Sequence, residues 1–128
     1  MLVEMYAVED LKHIEGFSAR RVGWLVEKIT VEGVWTKPLA IDSQHGLVLD
    51  GQHRMEAAMS LGLTHVPVVR FVYPDVPVWS LRPRQHEVTW ELVVSRAMSG
   101  DIYPYKTVKH RFPLNFPTSD LRLKDLSL

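Results

Sequence analysis

The sequence contains no cysteine and carries no excess of charge of either sign. The absence of cysteine excludes disulfide bonds, thiolate metal ligands and a cysteine nucleophile. Because 15 basic residues balance 15 acidic ones, the chain lacks the surplus of lysine and arginine on which non-specific nucleic-acid binding depends. No apolar run approaches membrane-spanning length, and the N-terminal segment lacks the apolar stretch of a signal peptide. We therefore expect a soluble, cytoplasmic protein with neither a membrane nor a nucleic acid as its partner.

The residues that are present are typical of a globular protein. Apolar residues make up 46% of the 128 and charged residues 23%, and a chain of this length buries a core without covalent cross-links. No repeat, low-complexity tract or change of composition marks a linker. The sequence therefore predicts a single domain over residues 1–128.

The spacing of apolar residues predicts a chain that alternates between strands and helices. Three stretches have the apolar spacing of a helix and end at a glycine, namely residues 18–33 with Ser18 as N-cap, about 52–62, and 89–100 with Thr89 as N-cap. Short apolar stretches bounded by turn residues are predicted strands, within residues 2–7, 37–42, 46–50, 64–74 and 77–81. This order is typical of an α+β fold, a small mixed sheet with helices packed on it.

Two further expectations concern packing. In the second helix, the side chains expected to face the core are Met55, Ala58, Met59 and Leu61. The segment after Gly100 has no periodicity, but it is too rich in tyrosine, phenylalanine and leucine for a solvated tail. We expect it to wrap the domain as an ordered, irregular segment.

The stretch LVLDGQHRMEAAMSLG places a group of polar residues where a predicted strand meets a predicted helix, at Asp50, Gly51, Gln52, His53 and Arg54. The first backbone N–H groups of a helix have no partner and can bind an anion. One interpretation is a phosphate site in which Gly51 lets the backbone approach while His53 and Arg54 add donors. Asp50 would then hold Mg²⁺ together with phosphate oxygens. The other interpretation is an ordinary Asp-Gly turn whose acid favours a helix start.

Two other groups could join such a site. The stretch YPYKTVKHRF supplies cations and a hydroxyl suited to phosphate, from Lys106, Thr107, Lys109 and His110. A basic stretch of this kind is more often simply solvated. Glu15, just before the first helix, could act as a general base if it lies next to a substrate hydroxyl. The alternative is a solvated glutamate in a loop.

The histidines and tryptophans give weaker indications. No H-x-x-x-H or H-E-x-x-H spacing occurs, which argues against a zinc site. Of the four tryptophans, Trp79 on a predicted strand is the candidate for a ligand pocket. The other three, Trp24, Trp35 and Trp90, are expected in the core or at its edges.

Taken together, these motifs resemble one superfamily. The stretch LVLDGQHRMEAAMSLGLTHVPV is similar to the Asp-Gly, His-Arg and Val-Pro-Val signature shared by ParB N-terminal domains and sulfiredoxins. Within that superfamily the chain most resembles the free L-serine kinases, whose C-terminal segment carries glycine, proline, lysine, threonine and histidine in order. The same residue types occur here in step, at Gly100, Pro104, Lys106, Thr107 and His110. Lys109 stands where the family has an arginine, and Glu15 occupies the place of its catalytic glutamate.

The resemblance implies a kinase that transfers a phosphoryl group from ATP, or ADP, to the side-chain hydroxyl of free L-serine or a related hydroxy amino acid. It implies Glu15 as the general base, Asp50 as the Mg²⁺ ligand and His53 beside the transferring group. The phosphate-binding residues that it implies are Gly51, Gln52, His53, Arg54, Lys106, Thr107, Lys109 and His110. Trp79 is slightly displaced from the family's substrate-binding tryptophan, so its role and the identity of the acceptor stay open.

Other classes of protein share parts of this pattern. A non-catalytic, ParB-like module that binds CTP or ATP and reports to a partner is the main alternative, because residues 50–54 would serve it equally well. Glu15 and the second basic segment favour the kinase, since a binding module needs neither. A sulfiredoxin needs a cysteine, a partition protein needs a further DNA-binding domain, and a nuclease needs clustered carboxylates that bind metal. We therefore expect this chain to belong to none of these three classes.

Overall fold

The computed structural model describes residues 1–127, in which short strands alternate with three α-helices. The strands are β1 (Glu4–Ala7), β2 (Val34–Trp35), β3 (Leu39–Asp42), β4 (Val48–Asp50), β5 (His65–Phe71), β6 (Val78–Ser80), β7 (Val108–His110) and β8 (Leu121–Arg122). The helices are α1 (Ala19–Glu32), α2 (Gln52–Ser60) and α3 (Trp90–Ser99), with single 3₁₀ turns at Val8–Asp10, Tyr73–Asp75 and Leu123–Asp125. None of the helices in this range is both long and apolar enough to cross a membrane.

Four of the strands form one mixed sheet in the order β1-β5-β3-β4. Strand β5 runs antiparallel to β1 and parallel to β3, and β3 runs antiparallel to β4. Two antiparallel ribbons, β2 with β8 and β6 with β7, join the C-terminal segment to earlier parts of the chain. The predicted α+β fold with a small mixed sheet is therefore confirmed.

Helix α1 begins and ends where the sequence predicts. The Ser18 hydroxyl accepts a hydrogen bond from the Arg21 N–H at 3.2 Å, which satisfies one of the unpaired donors of the first turn. At the other end Gly33 has φ 71° and donates its N–H to the Ile29 carbonyl, a left-handed conformation that glycine adopts without a steric penalty. The helix buries Val22, Leu25 and Ile29.

Apolar side chains pack on both faces of the sheet. Val48 of β4 joins one core with α1 and α2, whereas Leu49 joins the other with Val93 of α3 and Tyr103. Successive side chains of a strand point to opposite faces, so β4 contributes to both cores. Asp50 follows at the boundary between them, and α2 begins two residues later.

Three expectations about packing need correction. Trp24 was expected in the core or at its edges, but its side chain is exposed on α1. Met59 was expected in the core but is 52% exposed, because α2 buries Met55, Ala57 and Ala58, and Met59 lines a surface groove beside the Val8–Asp10 turn. The segment after Gly100 is ordered but not wholly irregular, since it contributes β7 and β8. These strands are only two or three residues long, so they show no alternation that periodicity could detect.

Candidate active site

A cavity of about 570 Å³ lies where β4 ends and α2 begins. Its lining carries six cations against the two carboxylates of Glu15 and Asp50, in a chain whose formal net charge is zero. These cations are Arg21, Lys28, Lys37, Arg54, Lys106 and Lys109. Such a concentration of positive charge attracts a polyanion of the size of a nucleotide's phosphate chain.

The N-terminus of α2 opens into this cavity with its backbone donors uncapped. Its N-cap, Gly51, has φ 113° and supplies no side chain to accept from the first turn. A Cβ added at Gly51 would lie 2.5 Å from the Leu39 side chain, so any larger residue would both strain the backbone and clash. The first N–H groups of α2 therefore receive no hydrogen bond from a capping side chain, and uncapped groups of this kind can bind an anion.

His53 lines the cavity as a neutral donor. Its Nε2 accepts a hydrogen bond from the Ser18 N–H at 3.0 Å, which leaves the proton on Nδ1. Burial lowers the pKa of the ring, and the neighbouring charges of Arg21, His13 and Arg54 lower it further. Burial also lowers the pKa of the Arg54 guanidinium, while nearby Asp50 raises it; an arginine nevertheless keeps its charge.

Glu15 reaches the same cavity from the segment before α1. Its Oε2 accepts hydrogen bonds from the backbone N–H of Thr107 at 3.0 Å and of Val108 at 2.9 Å. Burial raises the pKa of this carboxyl, and the two backbone donors and the charge of Arg82 offset part of that effect. The carboxylate is therefore held in a fixed orientation with Oε1 left for another partner, the arrangement that a general base requires.

The C-terminal basic segment contributes to the cavity unevenly. Lys106 and Lys109 line it, but Thr107 is fully buried and its hydroxyl donates to the Pro104 carbonyl at 2.7 Å. Thr107 thus acts on the site through its backbone N–H rather than its side chain. Lys106 has φ 60°, a left-handed conformation that is uncommon for a residue with a side chain.

His110 lines the cavity but is 8% exposed and cannot act as a cation at neutral pH. The Tyr73 hydroxyl lies 2.7 Å from its Nε2, and the ring also hydrogen-bonds the backbone of Leu49. Burial lowers the pKa of His110 to about 4. Its contribution to a bound anion is consequently that of a neutral group in the cavity wall.

Trp79 and Gln52 differ most from their expected positions. Trp79 lies on β6 with its ring near Arg111, and it is not among the residues that line the cavity, whereas Leu81 is. Gln52 is 6% exposed, and its side chain turns inward toward Val48, His13 and Ile14. Any contact between Gln52 and an anion would therefore come from its backbone N–H.

Sequence reasoning missed the side of the cavity formed by α1 and the chain before β3. Arg21, Trp24 and Lys28 lie there on one face of α1, and Lys37 lies opposite with its Nζ 3.5 Å from Asp50 Oδ2. An exposed tryptophan flanked by cations at i−3 and i+4 is a signal that the sequence does contain. Nothing in the sequence distinguishes Lys37 from other loop lysines.

A divalent cation would find one carboxylate at the α2 end of the cavity. Residues 1–127 contain no cluster of three or more histidine, aspartate or glutamate side chains that could hold a metal. Asp50 is half-exposed at the mouth of α2. A single carboxylate completed by phosphate oxygens and water suits Mg²⁺, so these residues fit a metal that arrives with a nucleotide.

The fold is shared with several solved structures. No family model matches the sequence, and no curated protein is significantly similar to it. A free serine kinase in complex with AMP superposes with a TM-score of 0.86 at 16% identity, over 97% of this chain and 93% of that chain. A conserved hypothetical protein from Pyrococcus furiosus gives 0.87 at 15% identity, over 98% and 97%. C-terminally truncated SbnI from Staphylococcus aureus gives 0.85 at 11% identity, over 97% and 88%.

These likenesses establish the fold. The chain has the ParB/sulfiredoxin-like fold of these proteins, as the Asp-Gly and His-Arg motif predicts. Four of the similar structures are complexes of a free serine kinase with AMP or ADP. The fold is therefore one on which nucleotide-binding kinases are built.

Proposed function

We propose that this protein is a small-molecule kinase that transfers a phosphoryl group from ATP, or ADP, to the side-chain hydroxyl of free L-serine or a related hydroxy amino acid. The observation that carries this proposal is the meeting of Glu15 with the uncapped N-terminus of α2 in one cationic cavity. A partly buried, oriented carboxylate is what a kinase needs beside its acceptor, and a module that only binds nucleotide has no use for it.

The donor's phosphate chain is expected at the start of α2. The N–H groups of that turn, the Nδ1–H of His53 and the guanidinium of Arg54 supply donors on one side, and Lys106 and Lys109 supply charge on the other. Phosphoryl transfer depends mainly on position and on neutralising charge that spreads over the equatorial oxygens. Mg²⁺ bound by Asp50 and phosphate oxygens would supply further neutralisation there.

The nucleobase is expected against α1. The Trp24 ring is 57% exposed at the cavity lining, and the Lys28 Nζ lies 5.4 Å from its centroid. An exposed indole provides a flat surface on which a base can stack whatever its hydrogen-bonding edge. Lys28 and Lys37 would then flank the path between the base and the phosphates.

The acceptor is expected at the Glu15 end of the cavity, next to Leu81 and Lys106. Its hydroxyl oxygen attacks the terminal phosphorus and passes its proton to Oε1 of Glu15. The bond between that phosphorus and the bridging oxygen breaks, so that ADP leaves from ATP, or AMP from ADP, and a phosphomonoester forms. The raised pKa of Glu15 strengthens it as a proton acceptor, and Lys106 offers a cation to an acceptor's carboxylate.

The decisive experiment is an acceptor panel. The protein is incubated with Mg²⁺, with ATP, ADP or CTP, and with L-serine, L-threonine, L-homoserine or D-serine, and phosphoamino acid is detected by ³¹P NMR. We expect a phosphomonoester from L-serine or a close relative, with ATP or ADP as donor. Nucleotide binding without product from any acceptor would reject the kinase and favour the non-catalytic, ParB-like module that binds CTP or ATP.

A further inference from the structure

We propose that His13, Gln52 and Glu56 form a positioning cluster that fixes Glu15 relative to the N-terminus of α2. This inference rests on the proposed function, because it assigns these side chains to the geometry of phosphoryl transfer. None of the three needs to touch substrate: Gln52 and Glu56 lie one turn apart on α2, and His13 lies two residues before Glu15.

Gln52 ties the first residue of α2 to two other segments. Its side-chain amide donates to the Val48 carbonyl of β4, and its Oε1 accepts from the Ile14 N–H at 3.3 Å. A backbone acceptor on one side and a backbone donor on the other fix which end of the amide is oxygen. The residue that begins the phosphate-binding helix is thereby bonded to the residue that precedes Glu15.

His13 forms the second bridge. Its Nδ1 lies 2.6 Å from Gln52 Oε1 and its Nε2 lies 2.8 Å from Glu56 Oε1. The ring therefore joins these two side chains of α2 through both of its nitrogens. Residues four apart share a helix face, which lets the ring span Gln52 and Glu56 at once. The ring also stacks on Phe17, with 5.0 Å between centroids.

The opposite side of this segment is held by the C-terminal part of the chain. The Gly16 N–H donates to the Tyr103 carbonyl at 2.9 Å, and the Tyr103 N–H donates to the Ile14 carbonyl at 3.1 Å. Glu15 is thus clamped between α2 and the segment that carries Lys106. The bonds of Gln52 and His13 hold this segment to α2 on the N-terminal side of Glu15, and the Ser18 N–H bond to His53 holds it on the C-terminal side.

That distance decides whether a proton can be transferred. A general base acts within about 2.6–3.2 Å of the proton's heavy atom, and a misplacement of about 1 Å costs roughly 10²-fold in rate. The cluster therefore controls the rate of the chemical step. It does not set the affinity for nucleotide, because the lysine and arginine side chains proposed to bind the phosphates lie elsewhere in the cavity.

The test compares His13→Ala and Glu56→Ala with the conservative variant Glu56→Gln, which keeps the acceptor for His13. We expect kcat to fall about 10- to 100-fold in both alanine variants, with the Kd for nucleotide unchanged, and to be retained in Glu56→Gln. The matched control is His45→Ala, which removes a histidine 3.1 Å from the Asp42 carboxylate outside the cavity. An equal loss of nucleotide affinity in the alanine variants would overturn the inference.

A second measurement does not depend on turnover. Hydrogen exchange of the Thr107 and Val108 amides, which donate to Glu15, is followed by NMR in the same variants. Faster exchange at these two amides in Glu56→Ala, with the rest of the core still protected, is expected if the cluster positions Glu15. Unchanged exchange there would overturn the positioning role. The two proposals can fail separately. If the wild-type protein phosphorylates no acceptor, but Glu56→Ala still speeds exchange at the Thr107 and Val108 amides, the kinase proposal is wrong and the cluster still positions Glu15.

Discussion

The Nζ of Lys37 lies 3.5 Å from the Oδ2 of Asp50, beside the first turn of α2. Both side chains are about half-exposed, so the pair is readily broken. The ammonium group therefore stands beside the carboxylate that we propose for Mg²⁺. Nucleotide binding would draw Lys37 onto the phosphates and release Asp50 to the metal.

Replacing Lys37 with methionine separates these two roles. In this variant no ammonium group competes with the metal for the Asp50 carboxylate. Its affinity for Mn²⁺ alone should therefore rise by about 1.5- to 5-fold, which corresponds to the free energy of an exposed ion pair. Its affinity for ATP should fall, because a cation beside the phosphates is lost. Electron paramagnetic resonance measures the metal and calorimetry measures the nucleotide. Lys124→Met, on an exposed turn away from the cavity, is the control; weaker Mn²⁺ binding in Lys37→Met would contradict the prediction.

Glu15→Gln should abolish most turnover without unfolding the protein. Glutamine keeps a carbonyl oxygen for the Thr107 and Val108 donors but cannot take up a proton, so kcat should fall about 10²- to 10⁴-fold. The Kd for nucleotide should stay the same. Glu27→Gln, an exposed carboxylate on α1, controls for loss of charge. Phosphoamino acid formation near the wild-type rate in Glu15→Gln would show that another group is the base.

The raised pKa of Glu15 predicts opposite trends for activity and stability. The base works only when ionised, so kcat should rise with pH through a value above the ordinary 4.5. Because the pKa of Glu15 is higher in the folded than in the unfolded protein, the folded state binds this proton more tightly. Proton binding therefore adds to the free energy of unfolding. This gain is complete at pH values below the unfolded pKa and is lost as the pH rises through the folded pKa. Glu15→Gln should therefore be more stable than the wild type at neutral pH but not in acid. Urea denaturation at both pH values measures this difference, and a pH-independent difference would contradict it.

Arg54→Ala should weaken nucleotide binding. Arg54 is partly buried and lines both the main cavity and a second cavity of about 400 Å³, where a charge-assisted hydrogen bond is less screened than at the open surface. Loss of that bond should raise the Kd for ATP about 10- to 100-fold. Arg20, exposed on the first turn of α1 and outside the cavity lining, is the matched control. Equal affinities in Arg54→Ala and Arg20→Ala would remove Arg54 from the phosphate site.

Trp24→Leu should affect nucleotides but not inorganic triphosphate. Stacking of a base on an aromatic ring contributes about 1–3 kcal/mol, so the Kd for ATP should rise roughly 5- to 150-fold while the triphosphate Kd stays constant. Trp24→Phe should retain most of the affinity. Val31→Ala, a highly exposed position on the same helix, controls for changes in α1. A parallel loss of triphosphate binding would mean that Trp24 supports the helix rather than the base.

The sequence predicts the fold well where local chemistry decides it. Ser18 and Gly33 bound α1 as expected because a hydroxyl cap and a left-handed glycine act within one turn of the chain. The Asp-Gly motif likewise predicts the strand-to-helix junction. Met59 was misassigned because helical spacing gives the width of an apolar face but not which neighbours cover it.

The site itself depends on contacts that no local pattern contains. The Gln52 side chain points inward because it forms hydrogen bonds with the backbone of Val48 and Ile14, which lie on other segments. The contact of Thr107 with Glu15 uses a backbone N–H, which every non-proline residue possesses. Residue type can therefore identify Glu15 as a candidate base, but only the tertiary fold determines which groups it contacts.

The bonds between Glu15 and residues 107 and 108 span more than ninety positions of the chain. A ribosome delivers the carboxylate early and its backbone donors much later, so a nascent chain that already contains α2 but ends before residue 107 lacks the two N–H groups that hold Glu15. A premature stop codon between codons 60 and 107 should consequently produce a polypeptide in which the proposed base has lost the backbone groups that orient it.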